Sequence, residues 1–398
     1  MVAGKPGVVS VWWVRVLVVA SPGTGHVFPL VPVSWALRSD GHDVLVVSAG
    51  DGVARAAGAG LVAVDAAPGV DMLGVFQSVG QSAGGWGSNP APAVARERAV
   101  ELFARVSEVM LEGTEQVARR WRPDVVVHGE LQGAGPVVAA RLGVPAVEHA
   151  ISVTGGDGGF GAAMWSRLAT GPVVDPVAVI RIAPPSLVPE AAPGRWTMRA
   201  VPYNGGAMLP PELLDLPARP RVLVTMGTVA PRRGGVGMVR GLVDALVESP
   251  GDVGVGRNQA DGTAGPVEVV VALGSDPSEL GVLPGSMRAY RWLPLSAALP
   301  TCSVVIHHGG AGTTLSALAA GLPQVVVPQG ADQFLNAASV SRRGCAVTAD
   351  APATIREGLR RALGGEFDHA VREVRDEIAL LPSPATIAAR LVEHLTTY

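Results

Sequence analysis

Two histidines and three glycines between a predicted strand and a predicted helix form a candidate anion-binding loop. The loop residues are His307, His308, Gly309, Gly310, Ala311, Gly312 and Thr313. Residues 304–306 before them are β-branched, and residues 313–320 favour a helix that Gly321 closes, with Pro323 shortly after. Because N–H groups at a helix N-terminus are unpaired and the helix dipole is positive there, phosphate is a natural ligand. Both histidines are expected to add side-chain donors.

Polar residues also follow the next predicted strand. Residues 324–327 read as a strand that ends at Pro328, and Asp332 and Gln333 come soon afterwards. Carboxyl ends of parallel strands meet at one edge of a sheet, where open α/β sheets bind ligands. The glycines alone would fit a turn in any α/β protein. The added polar groups favour a binding site.

His26 is the candidate base in the first half of the chain. It ends the turn at residues 21–26, between a buried strand predicted at residues 14–19 and a helix from about Pro29 to Ser39. A lone histidine is more often a core or helix-start residue, but the carboxyl end of a first strand faces a ligand cleft. Phe28 stands where a dinucleotide fingerprint would need its third glycine, so NAD binding has little support.

Three patterns in the second half resemble a known signature. They are His308-x-Gly310-x-x-Thr313, Gly321-x-Pro323 and Asp332-Gln333-x-x-Asn336. They are similar to the donor-sugar signature of nucleotide-sugar-dependent GT-B glycosyltransferases, above all bacterial enzymes that attach deoxysugars to polyketides, enediynes and macrolides. The resemblance implies an α/β fold with two Rossmann-like domains facing across a cleft, the first for a hydrophobic aglycone and the second for the nucleotide sugar. It also implies that the sugar is linked to TDP.

The resemblance also implies roles for individual residues. Those expected to hold the diphosphate are Gly227, Thr228, His308, Gly310, Gly312 and Thr313. Trp292 would stack on the base and Leu293 would contact it through the backbone, whereas Asp332 and Gln333 would bind sugar hydroxyls. Simpler alternatives are that Trp292 is a core residue and that Asp332 caps a helix.

No metal or cofactor is expected beside the nucleotide-sugar co-substrate. Many glycosyltransferases hold a divalent metal with an Asp-x-Asp pair, and the sequence contains no such pair. The helix dipole and His308 would then stabilise the departing diphosphate. The resemblance implies an inverting hexosyltransferase, and the missing Asp-x-Asp pair predicts that it is metal-independent. The sugar, the aglycone and the type of glycosidic bond are left open.

In the resembling enzymes, a histidine at the position of His26 removes the acceptor's proton and an acid supports it. That acid lies where this chain has Gly129, after Asp124 and three valines. Glu130 is the next residue and is the predicted partner, although it starts on the other side of an extended backbone. In the alternative, His26 works with water or with an acidic acceptor such as a phenol.

Proline-rich stretches divide the chain into predicted domains. Residues 1–13 are expected to be an extension without structure, 14–206 the acceptor domain, and 207–220 a linker. Residues 221–381 would form the nucleotide-sugar domain, and the apolar stripe in 382–398 suits a helix that the resemblance places back on the first domain. Residues 251–266 read as an exposed insertion.

Composition narrows the possible partners. The 398 residues carry a net charge of −3 and only 4% aromatic side chains, so nucleic acid and anionic membranes are poor candidates. No run approaches a membrane span, and two cysteines make neither a disulfide framework nor a metal site, so a cytoplasmic protein is expected. Homodimerisation stays open.

Residues 71–92 are polar and glycine-rich and are predicted to be an acceptor-binding loop. The Gly-x-Ser-x-Gly pattern at residues 80–84 is treated as chance, because a serine hydrolase needs a strand before Ser82 and a helix after it. Two rival classes remain: a nucleotide-sugar epimerase of the same architecture, which would need no aglycone, and a non-catalytic accessory protein.

Overall fold

A computed structural model describes residues 13–82, 92–154, 159–168, 173–188, 194–227, 236–247, 267–330 and 332–396. Thr228, nearly all of the predicted N-terminal extension and the predicted insertion at 251–266 lie outside these ranges.

Thirteen strands in the described ranges form two fully parallel sheets. The first sheet contains β1 (Arg15–Val19), β2 (Asp43–Ser48), β3 (Val62–Asp65), β4 (Val125–Gly129), β5 (Ala146–Ala150), β6 (Ala178–Arg181) and β7 (Arg195–Thr197), in the order 3-2-1-4-5-6-7. The second contains β8 (Arg221–Thr225), β9 (Glu268–Ala272), β10 (Met287–Tyr290), β11 (Val304–His307), β12 (Gln324–Val326) and β13 (Ala346–Thr348), in the order 10-9-8-11-12-13.

Helices connect these strands. In the first half they are α1 (Thr24–Val27), α2 (Val31–Ser39), α3 (Asp51–Gly58), α4 (Met72–Ser82), α5 (Pro92–Trp121), α6 (Ala134–Leu142) and α7 (Phe160–Leu168). In the second half they are α8 (Val236–Val247), α9 (Leu295–Ala298), α10 (Ala311–Ala320), α11 (Gln333–Arg342), α12 (Pro352–Leu363), α13 (Asp368–Leu380) and α14 (Pro384–Thr396). The predicted two-domain α/β architecture is confirmed.

The strand order explains where ligands can bind. In each sheet the chain first winds one way from a central strand, β1 or β8, and then returns to the other side through β4 or β11. Such a reversal opens a crevice at the carboxyl ends of the two central strands. The valine-rich strands are buried on both faces, as parallel sheets between helix layers require.

The last helix, α14, packs on α2 beside the first sheet. Ile387, Ala388 and Leu391 are buried there. Arg390 lies over the ring of Trp196 in β7, with its guanidinium carbon 4.6 Å from the ring centroid. The C-terminus therefore links the two halves of the molecule.

Two predicted elements need correction. Residues 72–82 are not part of a loop but form α4, because Met72, Val75 and Phe76 pack against α5 at helical spacing. The helix predicted from Pro29 begins earlier as α1, continues through a short 3₁₀ turn, and only then becomes α2. Ser82 ends a helix, so the strand that a hydrolase nucleophile would require does not precede it.

Candidate active site

Nearly all the predicted site residues in the described ranges line one cleft between the two sheets, with a volume of about 2020 Å³. The predicted residues that line the cleft are His26, Glu130, Gly227, Trp292, Leu293, His308, Gly310, Gly312, Thr313, Asp332 and Gln333. Thr228 lies outside the described residues.

The glycine loop ends at the N-terminus of α10, two residues before the predicted helix start. Gly310 is the N-cap, with extended backbone, and accepts the first helical hydrogen bond from the Thr314 N–H at 3.0 Å. The N–H groups of Ala311, Gly312 and Thr313 therefore have no acceptor within the helix. All three residues line the cleft, so the loop offers a cluster of amide donors to an anion.

Two glycines shape the space for His308. A Cβ on Gly227, which has φ 68°, would come within 2.5 Å of the His308 ring. A Cβ on Gly310 would collide with Nε2 of the same ring. Burial lowers the pKa of His308 to about 4, so its imidazole is neutral at pH 7 and offers an N–H without a full positive charge.

His307 does not have the predicted role as a donor to the ligand. It is fully buried, and its Nδ1 accepts a hydrogen bond from the Gly309 N–H at 3.0 Å. Its Nε2 therefore carries the proton and donates to the side-chain oxygen of Gln324 at 2.8 Å. His307 supports the loop from behind, and only His308 faces the cleft.

Asn336, which belongs to the resembling pattern but was not predicted as a site residue, ties Asp332 to the glycine loop. Its side-chain nitrogen donates to an Asp332 carboxylate oxygen and to the Gly309 carbonyl, both at 2.9 Å. The spacing of four residues was the available signal, since it puts both side chains on one helix face. Gln333 accepts from the Gln329 N–H at 2.7 Å, which leaves its amide nitrogen as the donor to a ligand.

Asn204, which no sequence pattern singled out, holds the segment predicted to bind the base. Its backbone oxygen accepts from Trp292 Nε1 at 3.0 Å, and its side-chain nitrogen donates to the Leu293 carbonyl at 2.7 Å. The Arg55 guanidinium carbon lies 5.7 Å from the Trp292 ring centroid. Trp292 is half-buried and lines the cleft, so base stacking stays a prediction.

His26 lies in α1, just after β1, with its ring edge-on to Phe103 at 5.2 Å between centroids. Its Nδ1 is buried and has no hydrogen-bond partner in the part of the chain that is described. Burial lowers the pKa of His26 to about 4. The side chain is therefore neutral at pH 7 and can accept a proton, although only as a weak base.

Glu130 lines the same cleft but is not hydrogen-bonded to His26. Its carboxylate accepts from Ser152 Oγ at 3.3 Å. Burial raises the pKa of Glu130 to about 8, and the nearby carboxylate of Glu148 adds to this effect. At pH 7 Glu130 is therefore mostly protonated, and the predicted dyad is not formed in this structure.

Two further observations concern metals and membranes. Within the described ranges there is no group of three or more His, Cys, Asp or Glu side chains suited to hold a metal ion. No helix in those ranges is both long and apolar enough to cross a membrane.

The fold and this cleft define a GT-B glycosyltransferase, and comparisons with known proteins give its family. Residues 35–227 match the N-terminal domain, and residues 263–394 the C-terminal domain, of the family described as erythromycin biosynthesis protein CIII-like. The chain belongs to this family of natural-product glycosyltransferases.

Individual relatives align with nearly the whole chain. The elloramycin glycosyltransferase ElmGT of Streptomyces olivaceus is 40% identical, over 95% of this chain and 96% of its own. The crystal structure of SnogD from Streptomyces nogalater is 37% identical with a TM-score of 0.78, covering 96% of this chain and all of SnogD. SsfS6 of Streptomyces sp. SF2575, complexed with thymidine diphosphate, is 31% identical with a TM-score of 0.77. The match covers 96% of this chain and 99% of SsfS6.

Gly312 gives a direct test of the anion site. A Cβ at this position meets no atom within 4 Å apart from its chain neighbours and the backbone of its own helix, so the packing does not require glycine there. Gly312→Ala should keep or raise the melting temperature, since alanine is favoured over glycine in a helix by about 0.5–1 kcal/mol. It should weaken TDP binding at least about tenfold, measured by calorimetry, because the methyl group blocks close approach of phosphate. Wild-type TDP affinity in this variant would place the phosphate elsewhere.

Proposed function

We propose that this glycosyltransferase moves a sugar, in the deoxysugar class, from a TDP-sugar to an apolar natural-product acceptor with inversion at the anomeric carbon. The observation that carries the proposal is that two sites lie on opposite sides of one cleft. The α10 N-terminus with His308 lies on the second sheet's side, and His26 lies on the first sheet's side.

This arrangement suits an in-line displacement. His26 accepts the proton of the attacking hydroxyl, the oxygen bonds to the anomeric carbon, and the bond from that carbon to the diphosphate breaks on the opposite side. The diphosphate leaves with the electron pair, and its charge is stabilised by the amide donors of α10 and by the His308 N–H. One displacement of this kind inverts the anomeric configuration.

The donor assignment draws on both the cleft and a relative. Asp332 is held by Asn336 and Gln333 keeps an amide nitrogen for donation, which suits recognition of sugar hydroxyls. SsfS6 was crystallised with thymidine diphosphate, which supports TDP as the nucleotide here. Metal independence remains part of the proposal, since neutral donors and a helix dipole replace the cation.

The reaction itself can be tested with a panel of TDP-sugars and polycyclic or macrocyclic acceptors, with products identified by mass spectrometry. We expect a glycoside of inverted anomeric configuration by NMR, and the same rate with EDTA as with magnesium. A retained configuration, or activity lost to EDTA and restored by magnesium, would contradict the mechanism. Release of free TDP or an epimerised donor without any acceptor would instead favour the epimerase.

The proposed catalytic pair, His26 and Glu130, makes a separate prediction. His26→Ala should lower turnover by about 10²- to 10⁴-fold, the usual contribution of a general base. Glu130 can support an imidazolium only when ionised, and its pKa is raised to about 8, so wild-type turnover should increase as pH rises through 8. Glu130→Gln should lose that increase. Its turnover, expressed as a fraction of the wild-type turnover, should therefore be lower at pH 9 than at pH 6.5. Wild-type turnover and pH profile in Glu130→Gln would reject the pair and leave His26 alone.

A further inference from the structure

Three of the chain's six phenylalanines stand together in the cleft beside His26. Phe103 in α5 contacts Phe76 in α4 and Phe160 in α7, each with ring centroids 6.4 Å apart and the rings steeply inclined. The His26 ring meets Phe103 edge-on at 5.2 Å. We refer to Phe76, Phe103 and Phe160 as the phenylalanine wall.

The phenylalanine wall brings together three different helices. A purely apolar pocket could be built from the aliphatic residues that dominate this sequence, in which aromatic side chains make up only 4%. Clustered rings add a geometric preference, because aromatic ligands gain from edge-to-face contacts that a saturated ring cannot make. The acceptor side of the cleft therefore favours a flat aromatic molecule.

The surroundings of His26 restrict the hydroxyl that it can deprotonate. Its Nδ1 is buried without a partner among the described residues, and the Glu130 carboxyl group is hydrogen-bonded to Ser152 instead. At pH 7, where Glu130 is mostly protonated, no carboxylate of the described residues is hydrogen-bonded to the positive imidazolium that proton transfer to His26 creates. A more acidic hydroxyl lowers the free-energy cost of transferring its proton to His26. A phenol has a pKa near ~10, whereas the pKa of water is about 15.7 and aliphatic alcohols are comparably weak acids.

Resting on the proposed function, we infer that the natural acceptor is a planar, polycyclic aromatic compound that is glycosylated on a phenolic oxygen. The rings lie against the phenylalanine wall, and the phenolic hydroxyl reaches His26. The proton passes to His26, the phenolate oxygen bonds to the anomeric carbon, and TDP leaves. The product is an aryl glycoside.

A matched pair of acceptors separates ring recognition from hydroxyl acidity. 2-Hydroxyanthraquinone carries a phenol, and 2-(hydroxymethyl)anthraquinone carries a primary alcohol on the same planar rings. Both should bind the TDP complex with similar affinity, measured by tryptophan fluorescence quenching. With a TDP-sugar that the enzyme accepts, the phenol should react at least about 100-fold faster, in line with the acidity dependence of general-base catalysis. Equal rates, or faster reaction of the alcohol, would overturn the inference.

Variants of the phenylalanine wall test whether it recognises the aromatic rings of the acceptor. Phe103→Leu should weaken binding of both anthraquinones by about 2- to 12-fold, the range expected for a lost aromatic pair, with TDP affinity unchanged. It should leave binding of a saturated 14-membered macrolactone alcohol within about twofold. If Phe103→Leu is unstable, Phe160→Leu is the second variant, because Phe160 is half-exposed. It should also weaken binding of both anthraquinones. Phe367→Leu is the control, because Phe367 is buried in the second half and does not line the cleft.

The outcomes also distinguish this inference from the proposed function. Sugar transfer to the macrolactone alcohol, with neither anthraquinone bound, would overturn the aromatic acceptor and leave the glycosyltransferase reaction intact. Failure to bind TDP, or to transfer sugar to any acceptor in the panel, would overturn both.

Discussion

The site depends on the contact between one helix N-terminus and the histidine that stands before it. α10 begins directly at the carboxyl edge of β11, so the unpaired N–H groups of residues 311–313 open into the cleft. The His308 ring fits there only because residues 227 and 310 have no side chain. His307 and Asn336 then fix the loop from behind and from the side. The proposed position of the diphosphate, and hence of the sugar, rests on this arrangement.

Much of the donor side could be predicted from the sequence because its signals are local. Glycines before a helix, an αL glycine after it, and polar residues after the next strand all act within a few residues of one another. Gly321 has φ 70° and closes α10 as expected. His307 was assigned wrongly because adjacent side chains in an extended segment point to opposite sides, and only the sheet determines which side is buried.

The acceptor side was less predictable because its contacts join distant parts of the chain. Residues 72–82 looked like a loop from their glycines and polar residues, yet packing against α5 makes them helical. Phe76, Phe103 and Phe160 are far apart in sequence and meet only when α4, α5 and α7 are assembled. Asn204 contacts residues about 90 positions away, with |i−j| of 88 to 91. No local sequence pattern predicts contacts between residues so far apart in the chain.

The central claim is that the α10 N-terminus binds the diphosphate, and a calorimetric comparison of TDP, TMP and thymidine tests it most directly. If amide donors and His308 hold the diphosphate, affinity should fall at each lost phosphate, with thymidine at least about 100-fold weaker than TDP, because hydrogen bonds to charged groups contribute about 1.5–3 kcal/mol each. Thymidine binding as tightly as TDP would contradict the account, since the base and ribose would then supply the affinity and the glycine loop would have another role.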